Sequence, residues 1–283
     1  MKTVADLHMH TNHSDGTLNP TELARLAKAQ GVDAVALTDH DTVTGIEELV
    51  EETNRLGLEA IPGVELSAKF FQGTLHILGY GFDPRGPIRE KLVDFQKARE
   101  ERNPKILERL KELGMPMTLE EVRKISKARG QIGRPHIAEA LEAKGYVNSY
   151  EESFNRYLTK GAPAYVPKAN WSAQECIELI HESGGVAVVA HPVQMKLLGL
   201  DLRKKVSELT EIGLDGLEVV HPDHNSEVQE LFNGLAGEFG LLTTGGSDFH
   251  GDHKPGIHLG QGRPPYVFLE KLRERIKRQR KAY

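Results

Sequence analysis

Thr3-Val4-Ala5-Asp6-Leu7-His8-Met9-His10 begins as a strand-like aliphatic run and stops on two imidazoles two residues apart. Side chains two apart in a strand point the same way, so His8 and His10 project together and can chelate one ion. The same event recurs along the chain. Ala34 to Leu37 runs into Asp39-His40-Asp41, Ala60 to Leu66 carries Glu65, Leu75 to Gly79 carries His76, and Val186 to Ala190 runs into His191-Pro192. Leu241 to Thr244 reaches Asp248-Phe249-His250. A single strand-end histidine is ordinarily a hydrogen-bonded core or surface residue. Nitrogen and oxygen ligands at the end of strand after strand, with Asp15 in the loop behind His10, read instead as the rim of a barrel holding several divalent metals. A metallohydrolase is the leading expectation.

Most of these runs are preceded by a helical pattern. Asn19-Pro20-Thr21-Glu22 opens the first helix with a cap, a first-turn proline and a glutamate, and Gln30-Gly31 closes it. The alternation predicts βα units and a parallel sheet. Between about Pro84 and Pro167 the rhythm breaks: Ile88 to Leu113 is helical by periodicity, and Thr118-x-x-Glu121 and Ser149-x-x-Glu152 are capping boxes opening further helices. The expected organisation is a barrel made of residues 1–83 and 168–283, with residues 84–167 as a helical insertion in one of its loops. Ser172-x-x-Glu175 restarts the alternation.

At 283 residues the chain can bury the core of one large α/β domain. No apolar run approaches the roughly 18 to 20 residues that cross a bilayer, and the first residues lack the pattern of a secretory signal, so a cytoplasmic location is expected. The single cysteine, Cys176, excludes an internal disulfide and a thiolate metal site and reads as a buried apolar residue. A net charge of −5 argues against a coat or packaging protein for nucleic acid. The basic run Lys271 to Lys281 reads as a solvated terminal helix.

His8-x-His10 with Ser14-Asp15-Gly16, Thr38-Asp39-His40, Gly63-x-Glu65, Ala190-His191-Pro192 and Ser247-Asp248-x-His250 resemble the motif set of the polymerase and histidinol phosphatase (PHP) family of metal-dependent phosphoesterases. The resemblance spans both halves of the barrel. It implies a distorted (β/α)7 TIM-like barrel with a trinuclear centre: His8, His10, Glu65 and Asp248 on the first ion, Asp15, His40 and His191 on the second, and bridging Glu65 with His76 and His250 on the third. Asp15 stands where some members have histidine, and a carboxylate favours manganese, with iron or zinc as alternatives. Three divalent ions against the carboxylates of Asp15, Glu65 and Asp248 leave surplus positive charge suited to a phosphate dianion. Asp248, His191 and Glu65 are then the expected catalytic ligands about a metal-bound hydroxide that serves as nucleophile.

In the insertion, Ile132-Gly133-Arg134-Pro135-His136-Ile137 starts a helix running to Lys144. Its arginine offers a planar fork for phosphate oxygens, and its helix start offers amide donors. After the sixth strand-like run, Leu217 to Val220, His221 and His224 are candidates to contact substrate or, for His224, to protonate a leaving group. Asp39, Asp41 and His13 read as supporting residues, and His181, His253 and His258 as uninformative. The insertion and the Gly-Arg-Pro-His segment are similar to the 3′,5′-nucleotide bisphosphate phosphatase and RNase AM branch of PHP enzymes. That implies conversion of adenosine 3′,5′-bisphosphate to AMP, 5′→3′ removal of nucleotides from short RNA, or both, with Arg134 and His136 gripping the uncleaved phosphate. A histidinol-phosphate phosphatase, an amidohydrolase-type C–N hydrolase and a nucleic-acid-binding module with structural metals are the competing readings. No protein partner or membrane contact is implied.

Overall fold

The computed structural model describes residues 2–127, 132–167 and 171–282, except for the side chains of 98–100, 281 and 282. Its elements run β1 (Ala5–Met9), α1 (Pro20–Ala29), β2 (Ala34–Leu37), α2 (Ile46–Leu56), β3 (Glu59–Ala68) and β4 (Leu75–Tyr80). Next come α3 (Pro87–Glu100), α4 (Arg102–Glu112), α5 (Leu119–Ser126), α6 (Arg134–Ala143) and α7 (Tyr150–Ser153), the last continuing into a π-helical turn, Phe154–Leu158. The chain finishes with α8 (Ala173–Glu182), β5 (Val186–Val189), α9 (Gly199–Glu211), β6 (Gly216–Val220), α10 (Ser226–Phe239), β7 (Leu242–Gly245) and α11 (Val267–Ala282).

The strands form one seven-stranded curled sheet in sequential order, β1 to β7. Beyond β7 the chain returns to β1, where Asp248 N–H donates to His8 O at 2.8 Å and His10 N–H donates to Phe249 O at 2.9 Å. What stands of the expected barrel is this curled mixed sheet with helices packed on it. The expectation of a parallel sheet fails at one strand: β4 is antiparallel to both β3 and β5. A short connection joins β3 to β4, and it leaves no room for the crossover helix that a parallel neighbour requires. His76 therefore sits at the start of β4, opposite Ser67 of β3, and still reaches the end of the sheet where the other candidate ligands gather.

Two apolar layers sandwich the strands. Val35, Val64, Leu66, Ile77, Val189 and Val219 pack outward against the helices, including α8 through Ile177 and Ile180. Ala5, Leu7, Ala36, Leu78, Tyr80 and Val188 pack on the other face against Leu269, Leu272 and Ile276 of α11. β1 changes register against β2 between Asp6 and Met9. Leu7 lies in the inner layer but Met9 in the outer one, so His8 and His10, which alternate with Met9, share the inner face with Leu7. A bulge re-aims side chains in this way.

Helix starts follow their capping residues. Asn19, Thr118 and Ser172 each accept from the backbone three residues on, with the glutamate there returning a bond to the cap. Ser149 caps α7, but Glu152 accepts from Asn148 N–H instead, so that box is incomplete. The helix expected over Ile88 to Leu113 breaks into α3 and α4 at Glu101. Between β4 and β5 the described residues form helices joined by turns and coil, without a strand. Ile88 and Leu92 of α3 join the main core, whereas Ile106, Leu110, Val122, Ile137, Leu141 and Leu158 make a separate apolar cluster.

α11 is more firmly tied than a solvated terminal helix. Arg273 pairs with Glu59, Arg275 with Asp215, and Arg280 donates to Gly81 O; the side chain of Lys281 lies outside the described residues. Cys176 is buried in α8. Among the described residues no helix is long and apolar enough to cross a membrane.

Candidate metal centre

Glu65 is the hub of the site. It is fully buried in β3 between Val64 and Leu66, which face the outer core. Its Oε2 lies 3.1 Å from both His8 Nε2 and His10 Nε2 and 3.2 Å from His40 Nδ1. Its Oε1 lies 2.7 Å from His76 Nδ1 and 2.9 Å from His191 Nε2. Asp248 Oδ1 adds contacts of 3.3 Å to His10 Nε2 and 3.5 Å to His8 Nε2. Asp15 is 3.3 Å from His250 Nε2, 3.7 Å from His10 Nδ1 and 3.8 Å from His40 Nε2.

Three sets of ligand atoms each lie within 4.8 Å of one another: His8, His10, Glu65 and Asp248; His10, Asp15, His40 and His250; and His40, Glu65 and His76. The first is the set expected for one ion. The other two depart from the expectation, because Asp15 and His40 converge with His250 rather than His191, while His191 shares Glu65 Oε1 with His76. The spacing of motifs along the chain carries no information about which strand ends face each other across the curl.

The donor atoms suit cations. His10 Nε2, Asp15 Oδ1, His40 Nδ1 and His191 Nδ1 are buried without an aligned hydrogen bond, although carboxylate oxygens stand close to several of them. Buried nitrogen and oxygen donors left without a hydrogen-bond partner, beside clustered carboxylates, suit a cation.

Behind them stands a layer that fixes ring orientations. Glu218 Oε1 accepts from His8 Nδ1 at 2.9 Å, and its Oε2 accepts from His191 N–H at 2.7 Å. His250 Nδ1 donates to Asp248 O at 2.8 Å, which leaves Nε2 to face Asp15. Asp39 accepts from Thr11 N–H, Thr11 Oγ1 and Ser14 Oγ, and Asp41 accepts from Ser67 N–H and Oγ, so both hold loops, as expected. His13 bonds Thr44. His181 pairs with Asp215, away from the ligand cluster. His191 (φ 26°), Asp248 (φ 51°) and Asp41 (φ 52°) adopt left-handed backbone that side chains disfavour, a strain that concentrates at functional sites.

Three contributors escaped the sequence reading. Glu218 is one, and its signal is a glutamate inside the aliphatic run Leu217 to Val220. Lys254 pairs with Asp248 Oδ2. His253 bonds Asp15 O at 2.7 Å, lies 3.4 Å from Glu139 and stacks on Tyr150, tying the ligand loop to α6 and α7.

Charge is shared unevenly. Burial opposes ionisation of Glu65, Asp15 and Asp248, yet surrounding imidazoles hold all three well below the usual carboxylate range. Burial also opposes protonation of His10, but Asp248 and Glu65 outweigh it and raise the ring to about 9. His40 goes the other way: burial, helped by His10 and His76, lowers it to about 3 against the pull of Glu65 and Asp15.

The substrate candidates divide. A cavity of about 160 Å³ is lined by Asp15, His40 and His76 of the cluster and also by Arg134 and His136. Arg134 Nη1 donates to Leu158 O at 2.9 Å and its guanidinium lies 5.6 Å from the Tyr165 ring centroid. His136 Nδ1 accepts from Gly133 N–H at 3.0 Å, so its Nε2 carries the proton when neutral, the state that burial favours. The helix start offers fewer amides than expected, since Gly133 N–H is taken and Pro135 has none.

His221 accepts from Asp223 N–H at Nδ1 and meets Asp248 Oδ2 at 3.3 Å through Nε2. His224 sits behind His221, donates from Nδ1 to Val219 O at 2.8 Å and packs on Phe232, with its Nε2 buried and unpartnered. Neither His221 nor His224 is in the described lining of the cavity. Burial holds the pKa of His224 down.

The family model described as PHP domain matches residues 6–232. A 5′-3′ exoribonuclease of Haemophilus influenzae is 38% identical over 87% of this chain and 89% of its own. A 3′,5′-nucleoside bisphosphate phosphatase of Chromobacterium violaceum is 32% identical over 90% of each. Among solved structures, a Bifidobacterium adolescentis protein described as a candidate metal-dependent phosphoesterase superposes with a TM-score of 0.86, at 34% identity, over 95% of this chain and 94% of its own.

Proposed function

The chain belongs to the PHP domain family, and from that premise we propose that it hydrolyses phosphoesters of 3′,5′-nucleoside bisphosphates and of the 5′ ends of short RNA. It is a metal-dependent hydrolytic enzyme. One observation carries the substrate assignment: a single cavity is lined both by Asp15, His40 and His76 of the cluster and by Arg134 and His136. A substrate with one phosphate needs only the first group, whereas a bisphosphate uses both.

We infer that His8, His10, Glu65 and Asp248 would hold one divalent ion, Asp15, His40 and His250 a second, and Glu65, His76 and His191 a third, with manganese favoured by the carboxylate share. Bound there, the ions would lower the pKa of water and neutralise charge on phosphoryl oxygens. The protein's own groups do the rest. Glu218 keeps the lone pair of His8 Nε2 aimed inward, and Lys254 offsets the charge on the outer oxygen of Asp248. Arg134 and the Nε2–H of His136 hold the phosphate that stays. We further infer that the curled sheet closes as a distorted (β/α)7 barrel and that residues 84–167 form a cap that measures the spacing between two phosphates.

Manganese-loaded protein should release phosphate from adenosine 3′,5′-bisphosphate and nucleotides from a 5′-phosphorylated RNA oligomer, but none from histidinol phosphate. Asp248→Ala should abolish turnover with the fold retained. Turnover of histidinol phosphate alone would overturn the substrate assignment, and RNA binding without hydrolysis of any substrate would overturn the enzymatic one.

A further inference from the structure

Next to the metal-side cavity lies a larger groove of about 800 Å³, and the two share Ser67, His76, Arg102 and Arg134. Its described lining includes Lys69, Arg102, Arg134, Lys160 and Lys196 and no carboxylate, in a chain whose net charge is −5. That segregation makes a local positive field beside the hydrolytic site. Aromatic rings are interleaved with the cations: Phe70, Phe71 and Tyr165 also line the groove. Phe71 is 75% exposed, an unusual position for a large apolar ring.

The segment that presents Phe71 is fixed on both sides. Lys69 N–H donates to Trp171 O at 2.6 Å, and Thr74 N–H donates to Gln194 O at 2.9 Å. At Gly73 an added Cβ would come within 2.3 Å of Gln194 O, so the chain there lies flush against the turn that follows His191. Lys160, from beyond the π-helical turn, reaches Phe71 O at 3.4 Å, and Lys69 Nζ sits 5.7 Å from the Phe71 ring centroid. An exposed ring on an anchored loop, with the ammonium groups of Lys69 and Lys160 beside it, has the form of a base-stacking platform in a cationic groove.

We propose that this groove is the track for the RNA chain on the 3′ side of the scissile bond, with Lys69, Lys160 and Lys196 meeting successive phosphates and Phe71 stacking under a base. This rests on the nucleotide-hydrolase reading and adds to it a site for the part of an oligomer that a bisphosphate lacks. Cations paired with aromatic rings favour single strands, whose unstacked bases can reach a ring.

The test compares Phe71→Ala and a Lys160→Gln/Lys196→Gln double variant with the unaltered chain. All these side chains are exposed, so folding should be unaffected, and circular dichroism checks it. Steady-state hydrolysis is measured on adenosine 3′,5′-bisphosphate and on a six-nucleotide 5′-phosphorylated RNA, and the same RNA carrying a 3′ dye reports binding by anisotropy across a salt series. Each variant should raise KM for the RNA about tenfold, the order expected for removing a stacking platform or two phosphate partners, and leave the bisphosphate unchanged. The lysine variant should also flatten the salt dependence of binding, by about 0.7 in slope for each phosphate no longer neutralised. Unchanged RNA kinetics and binding, or equal losses on both substrates, would overturn the track. If no substrate is hydrolysed but the variants still lose RNA binding, the track stands and the hydrolase reading falls.

Discussion

Glu218 stands directly behind His8, accepting from its Nδ1 at 2.9 Å while the opposite nitrogen, Nε2, faces Glu65 at 3.1 Å. The bond fixes which nitrogen is available to a cation and makes that nitrogen more basic. Glu218 also accepts from His191 N–H at 2.7 Å, so a single buried carboxylate positions two candidate ligands.

Glu218→Gln keeps the shape but removes the charge. Metal affinity or turnover should fall about 10- to 100-fold with the fold intact, as for other partners of metal-bound histidines. Metal titration followed by calorimetry, alongside kcat/KM, measures both effects; wild-type values in each would show that Glu218 only fills space.

Arg134→Ala separates recognition from chemistry. Losing a charge-assisted pair costs about 1.5 to 3 kcal/mol, so KM for adenosine 3′,5′-bisphosphate should rise roughly 10- to 150-fold. An aryl phosphate, with no second phosphate, should be nearly indifferent. Equal changes on both substrates would remove Arg134 from recognition.

The metal-free protein should lose stability as pH rises. His10 titrates near 9 in the fold and near 6.5 when unfolded, so its contribution is complete below 6.5 and disappears as pH climbs through 9. Glu65, Asp15 and Asp248 have the opposite sign: lowered in the fold, they stabilise above their ordinary range and stop doing so as pH falls. Divalent ions take over the positive charge that His10 supplies, and binding should release protons. Thermal melts should therefore show a larger gain from Mn2+ at pH 9 than at pH 6.5, under anaerobic conditions. A gain independent of pH would mean that His10 is neutral in the metal-free fold.

Gly246→Ala tests how closely β1 and the turn after β7 approach. A Cβ there would lie 2.3 Å from His8 Cβ and 2.4 Å from His8 N. The backbones must separate, at a cost of about 1 to 3 kcal/mol for overpacking. Because His8 is displaced, metal binding should weaken as well. A melt lowered with metal affinity untouched would place the strain elsewhere.

Much of the candidate site was legible because side chains able to bind metal are chemically distinctive and each strand announces its own end. His8-x-His10, His40, Glu65, His191 and Asp248 could be read one strand at a time, each from an aliphatic run that stops on a nitrogen or oxygen donor. Glu218 was hidden by its position inside a run, where strand propensity alone looks complete. The burial of His224 against Phe232 could not be read locally either, because it depends on how α10 packs behind the sixth strand.

The alternation of strands and helices, the helical stretch that interrupts it, the helix caps and the residue types suited to the chemistry are all written in local sequence. These are local properties, set by periodicity and by the few side chains that can bind a cation. Tertiary structure alone decided that β4 runs antiparallel and so presents His76 from its beginning, that a register slip in β1 turns His8 and His10 inward, and that His250 rather than His191 meets Asp15. Each of these depends on which residues, distant in the chain, face one another across the curled sheet. Pairing direction, register and curvature arise from hydrogen bonding and packing between strands, and no single segment contains them.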